Sequence, residues 1–180
     1  MVSEKHVIAW LAAQDTATYL VGGCVRDRLL ERPVYDLDIA TAGDSLCLAH
    51  RLADDLGGKY YPLDKERGTG RAILNFESEE PLVVDITRLC GDLAADLTTR
   101  DFTVNALASD IRAPNEIIDL HGGLSDLARR LLRPVSSSSI RDDPLRALRA
   151  VRLAAELDFC MAPETEALIP RDGRGVTLVS

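Results

Sequence analysis

Asp36 and Asp38 stand two residues apart in the stretch YDLDIAT. On a strand, positions i and i+2 project to the same side. The two carboxylates therefore share one face, and Leu37 and Ile39 take the other. Like charges at that range repel unless something positive lies between them. Hard divalent cations take oxygen ligands of this kind, and pairs of such ions serve phosphoryl transfer. For this pair alone, an exposed strand face is an equally good reading. A third acid shifts the balance: Asp85 interrupts the apolar run LVVDITRL, where a charge needs a partner or a metal.

Upstream, Thr18 to Val21 reads as a short strand that ends in Gly22-Gly23 and is followed by a helix from about Cys24 to Glu31. A strand–glycine–helix junction places bare backbone N–H groups at a positive helix end, where a phosphate fits. Taken alone, such a glycine pair is more often a plain turn, and Arg26 and Asp27 on the helix are a solvated face. Three strand acids and a glycine-rich cradle together read as a nucleotide site.

The elements that must position these groups follow from the pattern. Amphipathic spacing predicts a helix over Glu4–Ala13 and another over Asp44–Leu56, with Asp44 near its N-cap. Strands are expected over Val34–Thr41, Lys59–Leu63, Gly70–Phe76, Pro81–Leu89 and Glu116–Asp119, with β-branched residues strongest in PLVVDITRL. A helix is expected over about Thr103–Ser109 and a polar break over Ser136–Ser139. In RDDPLRALRAVRLAAELDF a strong helix begins, with Asp143 at the N-cap and Pro144 at its first position. Strands early and helices late give an α+β class, with the last ~40 residues opening a helical layer.

Composition narrows the classes. With 46% hydrophobic residues in 180, the chain has material for a core and is not of a disordered type. A net charge of −8 argues against a surface that grips nucleic acid along its length. Cys24, Cys47, Cys90 and Cys160 are scattered with no CxxC pair, which fits reduced thiols in a cytoplasmic protein better than zinc or a disulfide framework. No run approaches the ~18 apolar residues of a membrane span, and the N-terminus lacks a signal-peptide core. His6, His50 and His121 are isolated, and Trp10 reads as a packing residue.

The ordered set LVGGCVRDRLL, DLDIAT, TTRDFTVNALA, IIDLHGGLSDL and RDDPLRALRAVRLAAELDF resembles the class II tRNA nucleotidyltransferases (CCA-adding enzymes) and bacterial poly(A) polymerases of the DNA polymerase beta superfamily. The likeness runs from about Tyr19 to Met161. It implies a nucleotidyltransferase head over 1–138, a small mixed or antiparallel sheet backed by helices. Residues 139–180 would open a helical neck, with body and tail regions outside these 180 residues. By the same likeness, Gly22 and Gly23 hold the triphosphate, followed by the family's Arg-Asp as Arg26 and Asp27. Asp36 and Asp38 bind Mg²⁺, with Asp85 in the place of the third catalytic acid. Arg100, Asp101 and Asn105 match RRDFTxNA, which contacts sugar and phosphate, and Thr99 replaces its first arginine. Asp142, Asp143 and Arg146 match EDxxR, which reads the base, and Asp142 is one methylene shorter than the usual Glu. Arg149 and Arg152 match arginines near the phosphates.

The residue chemistry agrees. Asp101 and Asn105 are spaced to share a helical face, and Asp143 and Arg146 are neighbours at i, i+3. A carboxylate accepts from the exocyclic amine of cytosine or adenine, whereas uracil and guanine present a carbonyl there. The same two residues also satisfy an ordinary helix cap and salt bridge, and an arginine row is by default a solvated face. The expected reaction is template-independent addition of C and/or A from CTP and ATP to an RNA 3′ end, tRNA foremost, with weak RNA binding by this part alone. The alternatives are a poly(A) polymerase that uses ATP only and a nucleotide-binding module without catalysis.

Overall fold

The computed structural model describes residues 2–75 and 79–172. The chain forms two compact units, Met1–Leu93 with Ala108–Ile118, and Ala94–Leu107 with Asp119–Ser180.

The first unit is built on seven strands: β1 (Thr18–Val21), β2 (Asp36–Thr41), β3 (Lys59–Asp64), β4 (Thr69–Leu74), β5 (Leu82–Arg88), β6 (Leu107–Asp110) and β7 (Ile117–Asp119). Their order in the sheet is β3-β4-β5-β2-β1-β6-β7. β2 and β5 run parallel, while β1 pairs antiparallel with β2 and β6, and β4 with β3 and β5. The sheet is thus mixed, as expected. The six expected strands fall within a few residues of their places as β1 to β5 and β7, although Phe76 lies outside the described residues.

Three helices accompany this sheet: α1 (Glu4–Ala12), α2 (Gly23–Leu29) and α3 (Ser45–Asp55). Asp44 caps α3, its carboxylate accepting from the Cys47 N–H at 3.0 Å. α3 packs over β3, β4 and β5. It buries Leu48, Ala49, Leu52 and Ala53, and each leucine stabilises by about 1.5–3 kcal/mol. Leu37 and Ile39 of β2 and Leu82, Val84 and Ile86 of β5 are buried. Strict alternation leaves Asp36, Asp38 and Asp85 on the opposite, less buried face.

The second unit carries most of the later helices. Its elements are α4 (Leu93–Thr98), a 3-10 turn (Thr103–Asn105), α5 (Gly123–Ala128), β8 (Leu131–Leu132), α6 (Ser139–Asp142), α7 (Leu145–Leu157), β9 (Cys160–Met161) and α8 (Pro163–Asp172). β8 and β9 pair in parallel. Ile140 of α6, Ala147 of α7, and Leu168 and Ile169 of α8 form one apolar cluster.

The helix expected over Thr103–Ser109 does not form. Only the 3-10 turn Thr103–Asn105 is helical, and Leu107–Asp110 is strand. Ala108, Ser109 and Asp110 pair with Val21, Leu20 and Tyr19, so a ladder with β1 overrides the helix preference of Ala and Leu. Ser139, expected in a polar break, opens α6. α7 is assigned one residue later than expected, with Pro144 as its cap residue. Asp143 nonetheless has extended backbone, and its carboxylate accepts from the Leu145 N–H at 3.0 Å. It therefore does the work of an N-cap.

Candidate active site

The glycine turn lies where β1 runs into α2. Gly22 caps α2 with φ 76° and ψ −136°, a backbone conformation nearly closed to residues with a Cβ. Cys24 follows, 3% exposed, and its thiol donates to the Val21 carbonyl at 3.2 Å and reaches the Asp38 carbonyl at 3.7 Å. Burial first, and then the charge of Asp38, push this thiol up to about 11. Arg26 is buried and donates through Nε and Nη2 to the two oxygens of Asp27, at 2.9 and 2.8 Å. These two residues are an internal brace of the turn rather than a solvated face.

The acids come together on one side of the sheet. Asp38 on β2 stands opposite Asp85 on β5, and Asp85 stands opposite Arg71 on β4. Residues in register across neighbouring strands share a face, so a row of alternating interest runs Arg71, Asp85, Asp38, with Asp36 two positions along. Arg71 donates Nε to Oδ1 and Nη2 to Oδ2 of Asp85, both at 2.7 Å. The Asp85 hydrogen bond holds the Arg71 guanidinium above its ordinary pKa; burial opposes this, and the charges of Asp85, Asp36 and Asp38 each add a smaller upward push. Among the described residues, no three His, Cys, Asp or Glu side chains gather closely enough to hold a metal ion.

In the second unit, Asp101 is the hub. It is 6% exposed and accepts from the Phe102 N–H at 2.8 Å, from Asn105 Nδ2 at 3.0 Å, and from Arg149 Nε and Nη2 at 2.9 and 2.7 Å. Asp101 and Asn105 do meet, as their spacing suggested, but across a 3-10 turn rather than along an α-helix. Arg100 pairs with Asp96 at 3.0 Å. Arg146 lies 3.7 Å from Asp143. Its Nη2 donates to the Thr99 carbonyl at 2.6 Å, and its Nη1 to the Arg100 carbonyl at 3.3 Å and to Ser139 Oγ at 3.1 Å. Asp142 turns to the Ser138 hydroxyl at 2.6 Å, so among the described residues Asp143 is the acid that neighbours Arg146. Arg152 is exposed on α7.

Sequence reasoning missed several supports. Arg71 is the most consequential; a lone base in the apolar strand TGRAIL mirrors a lone acid in LVVDITRL, and that symmetry was the available signal. Asp126 is buried and accepts from the Thr103 hydroxyl at 2.8 Å and Arg133 Nε at 3.1 Å. Gly123 lets α5 approach the Thr103 carbonyl so closely that any Cβ would collide with backbone. Nothing in local pattern announces contacts of that kind.

Known proteins resemble this chain over most of its length. The family described as "Poly A polymerase head domain" matches residues 18–133. A CC-adding tRNA nucleotidyltransferase of Geobacter sulfurreducens is 44% identical over 84% of this chain and 35% of its own length. A CCA-adding enzyme of Leuconostoc citreum is 36% identical over 99% of this chain and 46% of its own. Among solved structures, a tRNA-processing enzyme with CTP superposes with TM-score 0.79 at 33% identity, covering 92% of this chain and 45% of that one. A tRNA nucleotidyltransferase complexed with a primer tRNA and an incoming ATP analog gives 0.79 at 32% identity, covering 96% and 50%. The chain thus spans between about a third and a half of these relatives. Its α+β architecture is the polymerase beta-like nucleotidyltransferase fold. With the head-domain match over most of its length and the carboxylate face and RDFTVNA turn in place, the chain belongs to the poly A polymerase head-domain family.

Proposed function

We propose that this chain is the catalytic part of a template-independent RNA nucleotidyltransferase that adds C and/or A to an RNA 3′ end, above all the CCA end of tRNA. The observation that carries the reading is the pair Asp36 and Asp38 projecting beside Asp85 on one sheet face. Relatives named for CC addition, A addition and CCA addition, 44%, 42% and 36% identical, support it. In this reading, 1–138 is the head and 139–180 opens a helical neck.

The donor set fits a hard cation: Asp36 is exposed, Asp38 half-buried, and both offer oxygen from the same side. Asp36 and Asp38 would hold Mg²⁺, with Asp85 as the third acid. When bound, Mg²⁺ supplies Lewis-acid stabilisation of charge on the transferring phosphoryl group.

The chain's own residues do the orienting. Backbone N–H groups at Gly22 and Gly23 face the triphosphate, with Arg26 and Asp27 bracing their turn. Arg100 and Asn105 meet sugar and phosphate, Asn105 being set by Asp101. Arg149 and Arg152 face phosphate. Asp143 and Arg146 read the base edge, with backbone bonds fixing the guanidinium in advance. A fixed donor–acceptor pair accepts C and A and opposes the carbonyl of U and G. The RNA 3′ oxygen then bonds to the α-phosphorus of CTP or ATP, and pyrophosphate leaves. A net charge of −8 implies weak RNA binding by these residues alone. Four cysteines outside any disulfide suit a cytoplasmic setting.

The test is incubation with tRNA lacking its 3′ end and each labelled nucleotide in turn, using the longest natural form of the protein. Incorporation of C or A but not U or G is expected, and Asp38→Ala should abolish it. Turnover by that variant at the wild-type rate would remove Asp38 from the chemistry.

A further inference from the structure

The acid face contains one cation that the family's motifs do not account for. Arg71 occupies both oxygens of Asp85 in a fork, at 2.7 Å each, and such bidentate pairs are the strong, geometrically specific ones. Neither partner is sealed off: the side chains are 37% and 22% exposed, so water and ions reach the pair. Register places Asp85 next to Asp38 and on the same face as Asp36. Three carboxylates and one guanidinium leave two negative charges in excess, which one divalent cation balances. A second divalent ion that draws on Asp85 must share it with a cation already there.

We propose that Arg71 is a positioning residue that competes with divalent metal for Asp85, so that without nucleotide the face takes one divalent ion at Asp36 and Asp38. This rests on the metal reading of Asp36 and Asp38 given above. Two physical effects act together. The fork directs the two oxygens of Asp85 toward β4, and the positive charge weakens the attraction of the whole face for another cation. A polyanionic nucleotide supplies the compensating charge that lets Asp85 change partners. In its absence, Arg71 neutralises Asp85 and lessens its repulsion with Asp38, which stands opposite on the neighbouring strand.

Manganese serves as the probe, because its free-ion electron paramagnetic resonance signal is lost on binding. Titrating the 180-residue chain without nucleotide should give one Mn²⁺ per chain for the wild type. Arg71→Gln should bind Mn²⁺ at least threefold more tightly and take up a second ion. It should also melt at lower temperature than wild type in metal-free buffer and regain more on adding Mn²⁺. Arg71→Lys keeps the charge and should stay near the wild-type affinity. Asp38→Ala should lose Mn²⁺ binding, both alone and combined with Arg71→Gln. If Asp38→Ala binds Mn²⁺ like wild type, the metal reading itself fails. If Asp38→Ala loses binding while Arg71→Gln matches wild type in affinity and stoichiometry, the metal site stands and the role given to Arg71 is wrong. If Arg71→Lys behaves like Arg71→Gln, the charge competition is refuted.

Discussion

Arg149 donates through both Nε and Nη2 to a single oxygen of Asp101, Oδ2. The other oxygen, Oδ1, accepts from the Asn105 amide and the Phe102 N–H. A buried carboxylate engaged at both oxygens is a brace, and it acts through the groups it holds. The RDFTVNA turn is therefore pinned by its own aspartate, which sets Asn105 and Arg149.

Removing that brace should be costly. Asp101→Ala strands a buried N–H and an amide and frees Arg149, which sums to about 2–4 kcal/mol. Asp101→Asn keeps an acceptor for Phe102 and Asn105 and loses the ion pair, so it should cost less. Urea unfolding of both variants checks the order. Wild-type midpoints for both would mean that Asp101 is no brace.

The sequence was most readable where one physical rule dominates. Alternation in DLDIAT and LVVDITRL placed Asp36, Asp38 and Asp85 on one face, because burial of Leu37, Ile39, Val84 and Ile86 leaves no other register. Asp44 at the start of α3 and Asp143 before α7 were legible as caps, since their carboxylates meet local N–H groups. Ala108 and Ser109 misled because their partner, β1, lies more than eighty residues away, and local propensity is silent about it. Arg71 was missed for the same reason: its partner Asp85 sits on the next strand, and only the register of β4 on β5 joins them.

The glycine turn offers a paired test. Gly22 has φ 76° and ψ −136°, so Gly22→Ala imposes backbone strain of about 1–3 kcal/mol. Gly23 is helical, and an added methyl meets Arg26 Nη2 at 3.5 Å, an ordinary contact. Gly23→Ala should thus melt at or slightly above the wild-type temperature, since alanine favours a helix over glycine by up to ~1 kcal/mol. Thermal melts followed by circular dichroism separate the two. Equal loss in both would show that the turn is limited by space and not by backbone angle.

Cysteine reactivity should split sharply. Cys47, Cys90 and Cys160 are exposed and Cys24 is buried, so iodoacetamide at pH 8 should label three sites under native conditions and the fourth only in denaturant. The sign of the pH effect follows from the raised value. In the unfolded chain the Cys24 thiol ionises near its ordinary 9, while in the fold it holds its proton to about 11. Its contribution to stability is therefore complete below pH 9 and is lost as pH rises from 9 to 11. Cys24→Ala should flatten that alkaline fall. Mass spectrometry of labelled peptides and melts across pH 8–11 read both outcomes. Native labelling of Cys24 as fast as Cys47 would contradict the burial.

Asp143 combines a structural and a chemical task, and the two can be separated. Its carboxylate accepts the Leu145 N–H at 3.0 Å and lies 3.7 Å from Arg146. Asp143→Ala removes the cap and should destabilise by about 1 kcal/mol. Asp143→Asn keeps a capping oxygen and should melt close to wild type. In base choice the order reverses its meaning. An amide offers the base edge either an acceptor or a donor, so Asp143→Asn should admit U and G even though the fold is intact. Each well-placed base-edge pair contributes roughly 1–3 kcal/mol of discrimination, so misincorporation should rise by about one order of magnitude or more, with a smaller change in the affinity for CTP and ATP. Competition among the four nucleotides, measured on the folded variants, decides it. If Asp143→Asn excludes U and G as strongly as wild type, the residue is a helix cap and Arg146 must find its acceptor elsewhere.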